Sequence, residues 1–90
     1  MVKSIEVQTI KMLMQILGRN EKMKLLKNSN LTNRERKIMT QRFIVGLTAK
    51  ETSEMMNMDI DTFNQAQKKI YLKMYAWLSL QFNRFTEKQQ

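Results

Sequence analysis

Between Leu31 and Ala66 the chain twice spells a helix-start signal, a threonine followed three places later by a glutamate: Thr32 with Glu35, and Thr48 with Glu51. In such a capping box the hydroxyl accepts one free backbone amide and the carboxylate accepts another, so both donors at the head of a helix are satisfied. The first box predicts a helix whose inner face is Ile38, Met39 and Phe43, with the stem of Arg42 beside them, closed by Gly46. The second predicts a short helix ending near Met56. Asn57 tolerates the left-handed backbone of a tight turn, and Asp59 is placed to cap a last helix that meets no breaker before Phe85. No Pro and two Gly in 90 residues favour long helices everywhere else.

Upstream, Ser4 can cap a helix running to Leu17, with Ile5, Ile10, Leu13, Met14 and Leu17 on one face and Gly18 as its stop. A short helix capped by Asn20, with Met23 and Leu26 turned inward, would precede the polar break Asn28–Asn30. The expected fold is therefore all-α, with four to five helices and a long C-terminal one. Residues 1–28 read as an N-terminal helical extension for packing and dimerisation, 31–85 as the main domain and 86–90 as a frayed tail.

Ser53, Asn57 and Phe63 satisfy the size rules of a helix-turn-helix. A small residue sits where two helices cross closely, a residue tolerant of positive φ follows four places on, and an apolar anchor six places after that. Met56 and Met58 bracket the turn, and Ala66 keeps a later contact small. The same spacing suits an ordinary pair of packed helices.

The charge is +8 overall and unevenly placed. From Arg19 to Arg42 eight basic residues stand against two acidic ones, a net of +6, while residues 1–18 and 43–90 carry +1 each. A local basic excess suits a polyanion; the plainer reading is a solvated surface that keeps a small protein in solution. The chain has neither His nor Cys, and it lacks a glycine-rich phosphate loop. Glu51 and Glu54 share a helix face with an evident capping and surface role. An enzyme is not expected, nor is any metal or cofactor. No run approaches the roughly 18 apolar residues of a membrane span, so a cytoplasmic protein without membrane contact is the expectation. Many Lys, Asn, Ile and Met with few Ala hint at an AT-rich bacterial or phage genome.

Leu31, Thr32, Arg34, Glu35 and Arg36, then Phe43, Gly46, Leu47, Thr48 and Glu51, followed by the helix-turn-helix, form a pattern that resembles region four of bacterial sigma factors. It resembles the LuxR-type and YlxM-like regulators more loosely. The resemblance implies a DNA-binding regulator of transcription. It implies phosphate contacts from Thr48 and Lys50, groove-facing positions at Ile60, Asp61, Asn64 and Gln65, and a phosphate held by Lys68 and Lys69. Flanking backbone contacts would come from Arg34, Arg36, Lys37 and Arg42. Asp61 would accept from a cytosine amino group, and Asn64 or Gln65 would pair with adenine. Ile60 departs from the family's basic residue, Thr52 from an apolar one and Ser53 from Ala or Gly. Asp59 and Asp61 favour the helix start but repel phosphate; capping is the simpler role for both.

The last helix carries an apolar stripe of Phe63, Ile70, Met74, Trp77, Leu78, Phe82 and Phe85, widened by Tyr71 and Tyr75. It is longer than a helix-turn-helix needs, so its end requires another surface. The expected answer is both the N-terminal helix and a second copy, with Ile10, Leu13, Leu17, Trp77, Leu78, Phe82 and Phe85 at the dimer or partner interface. The expected partners are thus double-stranded DNA, a second copy and RNA polymerase. The alternative is an interaction module that keeps the fold but binds RNA polymerase or another regulator instead of DNA. The nine Met residues read first as core filler and second as an adaptable docking groove. Tyr71, Tyr75 and Trp77 read as core before base-stacking platforms.

Overall fold

A computed structural model describes the backbone of residues 4–89 and the side chains of 4–84. Five α-helices follow in order: α1 Ile5–Ile16, α2 Arg19–Asn28, α3 Asn33–Thr40, α4 Ala49–Met55 and α5 Ile60–Gln89. A π-helical turn, Gln41–Val45, extends α3. The expected all-α class holds among the described residues, and α5 runs beyond Phe85 to Gln89. No helix among them is long and apolar enough to cross a membrane.

The core is where α1, α3 and α5 meet. Ile10, Met14, Met39, Phe63 and Met74 are fully inaccessible, with Leu26, Ile38, Ile70 and Tyr71 nearly so. Burying each large side chain contributes about 1.5–3 kcal/mol. The N-terminal helix does fold back on α5. Its inner face is Val7, Ile10 and Met14, at i, i+3 and i+7. Ile5, expected on that face, is 74% exposed, since it falls on the same outer stripe as Met12 and Ile16, also exposed. The helix therefore carries apolar residues on two faces, and periodicity alone could not assign Ile5 to either.

Ser4 caps α1, its hydroxyl accepting from the Val7 amide. The next junction differs from expectation. Gly18, at φ −72°, is not a left-handed stop but the N-cap of α2, and Asn20 lies inside that helix. Leu26 is buried as expected, whereas Met23 is half exposed. The polar break closes α2 through the buried Ser29, whose hydroxyl donates to the Leu25 carbonyl, and turns through Asn30 at φ 62°.

Both capping boxes form. Thr32 accepts from the Glu35 amide at 3.1 Å while its own amide donates to Glu35 Oε1 at 2.8 Å; Thr48 and Glu51 do the same at 3.0 and 2.9 Å. Gly46, at φ 95°, ends the π turn in the left-handed region, and its amide donates to the Gln41 carbonyl.

Arg36 is the clasp between α2 and α3. Its guanidinium donates to the carbonyls of Leu26 at 3.3 Å and Leu31 at 3.2 Å, and to Asn33 Oδ1 at 3.2 Å. Charge-assisted bonds of this kind stabilise by about 1.5–3 kcal/mol. Replacing Arg36 with Met leaves two carbonyls without that donor and should lower unfolding free energy in urea by about 1–3 kcal/mol. Arg36→Lys should recover only part of the loss, because an ammonium lacks the planar fork. An unchanged urea midpoint in Arg36→Met would remove the clasp role.

Candidate functional site

The geometry that matters begins at the crossing of α4 and α5. Ser53 is 2% exposed and sits where the two helices approach; its hydroxyl donates to the Lys50 carbonyl at 2.7 Å. Thr52 is fully buried, and its hydroxyl donates to the Thr48 carbonyl at 2.9 Å. Both polar residues thus spend their donors on their own helix, which lets them be buried without an unpaired hydroxyl. The chain then turns through Asn57 at φ 57°, with the Met58 amide donating to the Ser53 carbonyl at 2.8 Å. Phe63 plugs into the core at 0% exposure. The three positions expected to define the helix-turn-helix do so.

Asp59 starts α5. One carboxylate oxygen accepts the Thr62 amide at 2.8 Å and the other accepts the Thr62 hydroxyl at 3.1 Å. These bonds, the hydroxyl's first, hold the Asp59 carboxyl below its ordinary pKa. Both Asp59 and Thr62 are therefore occupied with each other.

Beyond this cap, Phe63, Gln67 and Ile70 turn inward, while Ile60, Asp61, Asn64, Gln65, Lys68 and Lys69 all lie exposed. Ile60 shows 41% of its surface. Thr48 and Lys50, at the head of α4, are exposed as well. The helix face that the sequence assigns to a ligand is open to one.

The basic residues separate into two groups. Arg34 and Lys37 are exposed on α3, and Arg34 shares the rim of a hollow of about 310 Å³ with Lys69 of α5. Arg36 and Arg42 do not join them. Arg36 is committed to the α2–α3 clasp. Arg42 donates to Gln67 Oε1 at 2.9 Å and the Leu47 carbonyl at 2.8 Å, and lies over the Phe43 ring. Each guanidinium serves the fold, so the flanking phosphate contact expected of it would compete with these bonds. Lys22 is engaged too, donating to the Phe43 carbonyl at 3.2 Å. Arg19, Lys24 and Lys27 are exposed on α2 and line, with Met23, Ile44 and Val45, an open groove of about 710 Å³. Reasoning from sequence missed this groove, because its apolar floor comes from two separate elements.

The expected interface residues also divide. Ile10 is wholly inside the core and cannot reach a second copy. Leu13 and Leu78 pack against that core, Leu17 and Trp77 are half-buried, and Phe82 is 67% exposed. The side chain of Phe85 lies outside the described residues. The exposed apolar residues of α1 are Ile5, Met12 and Ile16, at i, i+7 and i+11. Their common spacing was visible in the sequence, as a second stripe behind the stronger one.

Acid should loosen this site first. Burial pushes the Glu35 carboxyl up, but hydrogen bonds from Lys73 at 2.8 Å and from Thr32 outweigh it, leaving the group below its ordinary value. The Thr48 amide and hydroxyl lower Glu51 in the same direction. Three carboxyls, with Asp59, are thus more acidic folded than unfolded. The unfolded chain binds more protons as pH falls, so their contribution is complete above the ordinary carboxylate range and is lost through and below it. The urea midpoint should hold steady down to about pH 5 and then drop. The triple variant Glu35→Gln, Glu51→Gln, Asp59→Asn should be less stable at neutral pH and show a shallower acid loss. An equally steep loss in that variant would place the acid sensitivity elsewhere.

The protein-family model described as Sigma-70, region 4 matches residues 29–76, which is 48 of the 90. No curated protein and no solved structure matches the chain.

Proposed function

The chain belongs to the Sigma-70, region 4 family, a DNA-binding helix-turn-helix region, and from that premise we propose that it regulates transcription by laying α5 in the major groove of double-stranded DNA. The observation that carries this reading is the division of α5: one side is sunk in the core through Phe63, Gln67 and Ile70, the other offers Asp61, Asn64, Gln65 and Lys68 to solvent. A helix anchored on one side and polar on the other can enter a groove without unfolding anything. Lys68 and Lys69 follow the first turns where phosphate would flank the groove, and Arg34 meets Lys69 across the α3–α5 hollow. The reading makes the protein non-enzymatic.

It also includes a homodimer. The interface we assign is the outer stripe of α1, Ile5, Met12 and Ile16, with the exposed Phe82 of α5, in place of the buried Ile10. Two copies would read half-sites about one helical turn apart.

Fluorescence anisotropy with duplex pools, followed by random-site selection, tests both parts. Affinity should fall steeply with salt. Lys68→Ala with Lys69→Ala should weaken all duplexes alike and reduce the log–log salt slope by about two. Gln65→Ala should change sequence preference by about tenfold at one position. Sedimentation of the selected complex should give two protomers per duplex. No binding at low salt would reject DNA reading; one protomer per duplex would reject the dimer.

A second reading, docking onto RNA polymerase, is favoured by the α2–π-turn groove. Its floor of Met23, Ile44 and Val45 is apolar, and Arg19, Lys24 and Lys27 rim it. Val45, 59% exposed, is the accessible point. Val45→Glu should cut capture of core RNA polymerase about tenfold or more, as loss of a central apolar contact does, and leave duplex affinity unchanged. Equal capture of both proteins would reject the groove as that surface.

A further inference from the structure

The first turn of α5 has an unusual chemical make-up for a helix that reads bases. It offers no cation. Asp59 and Thr62 are bonded to each other, Phe63 is buried, and what remains facing outward is Ile60 and Asp61. Guanine is recognised in the major groove by donors to its O6 and N7, which Arg and Lys supply and a carboxylate cannot. Neither Ile60 nor Asp61 can perform that reading. An exposed branched alkyl group has one complementary feature in that groove, the 5-methyl of thymine.

We infer that Ile60 is a specificity-determining residue that packs on a thymine methyl group, and that it biases the half-site toward T at one position. The inference rests on the reading of α5 as the groove-entering helix. Ile60 is held in place for this role. The Asp59 cap fixes the residue after it as the first of the helix, and the Phe63 anchor fixes the rotation of that turn. Asn64 lies one turn further on the same row, about 6 Å along the axis, and it too is exposed. That rise spans about two base steps. An amide that can pair with adenine N6 and N7 therefore stands one turn from the alkyl group, and the row Ile60–Asn64 matches A·T pairs about two steps apart. Forty-one per cent exposure leaves Ile60 surface to lose on contact, which gives the methyl contact a hydrophobic driving force.

The test uses the full chain and the duplex obtained by random-site selection. Each thymine is replaced singly by deoxyuridine, which removes the methyl and nothing else. At one thymine per half-site the wild-type protein should bind about fourfold more weakly, the worth of one buried methyl-sized group. Ile60→Ala should bind the thymine duplex more weakly and be indifferent to the uracil exchange at that position. Circular dichroism of Ile60→Ala should match the wild type, since the side chain is outside the core. Selection repeated with Ile60→Arg should move the preferred base at that position from T toward G. If every uracil exchange affects wild type and Ile60→Ala alike, or if Ile60→Arg selects the same base, the inference fails while DNA reading stands. If no duplex is bound at low salt, both fail.

Discussion

One guanidinium holds the exposed helix to its scaffold. Arg42 reaches from the π turn to the side chain of Gln67 on α5 and to the carbonyl of Leu47 in the loop before α4, and it stacks on Phe43. Three elements that could slide past one another are thereby fixed at one point, with bonds of about 2.8–2.9 Å. A lysine could not do this, because it lacks the planar fork that binds two acceptors set at an angle. The positive charge also reaches the buried Tyr71 hydroxyl. Burial pushes that hydroxyl's pKa up, and Arg42 offsets part of the rise. Phe43 completes the joint with an edge-on contact to the Tyr71 ring at 6.3 Å. The orientation of α5, and so whatever its outer face reads, depends on this joint as well as on the hydrophobic core.

The same economy governs the polar residues at the helix crossing. A buried hydroxyl without a partner costs about 1–3 kcal/mol, yet Thr52 and Ser53 of α4 are buried. They are tolerated because the carbonyls of Thr48 and Lys50 lie one turn back within reach. Among the described residues no buried side-chain polar atom lacks a hydrogen-bond partner. Volume, not polarity, is therefore the constraint at these two positions, and departures from the family's usual Ala, Gly or apolar residue leave the architecture intact.

Local signals in the sequence were legible where the physics is local. Ser4, Thr32, Thr48 and Asp59 cap as expected, and Gly46 and Asn57 adopt positive φ, since each needs only its neighbours within one turn. Illegibility begins where the partner is distant in the chain. Arg36, Arg42 and Lys22 look like surface cations until the carbonyls they serve, from five to 21 residues away, are brought beside them. A count of charges cannot separate a cation that is bonded internally from one that is free to meet a ligand. Ile5 and Ile10 were read as one face because five residues of drift on a 3.6-residue helix is not resolved by apolar character alone. The α2 start was misplaced for a related reason: Gly18 caps through backbone shape and leaves no side-chain signature.

This redistribution of charge changes where affinity can come from. Of the eight cations between Arg19 and Arg42, three are held inside the fold, so the net +6 of that segment overstates what a polyanion would meet. At the head of α5 the opposite correction applies. The Asp59 charge sits on the free amides of a helix start and on the Thr62 hydroxyl, where the positive end of the helix dipole partly cancels it. Asp61 lies outside that cap and projects its charge from the exposed face. On the proposed DNA reading, phosphate attraction would have to be supplied beside the first turn of α5, by the exposed Lys50, Lys68, Lys69 and Arg34, while the turn itself would supply discrimination between bases and no attraction to the backbone. Attraction and discrimination would then fall to different residues, and a surface so divided would gain selectivity from Asp61, whose charge would penalise every placement that does not set a base donor against it.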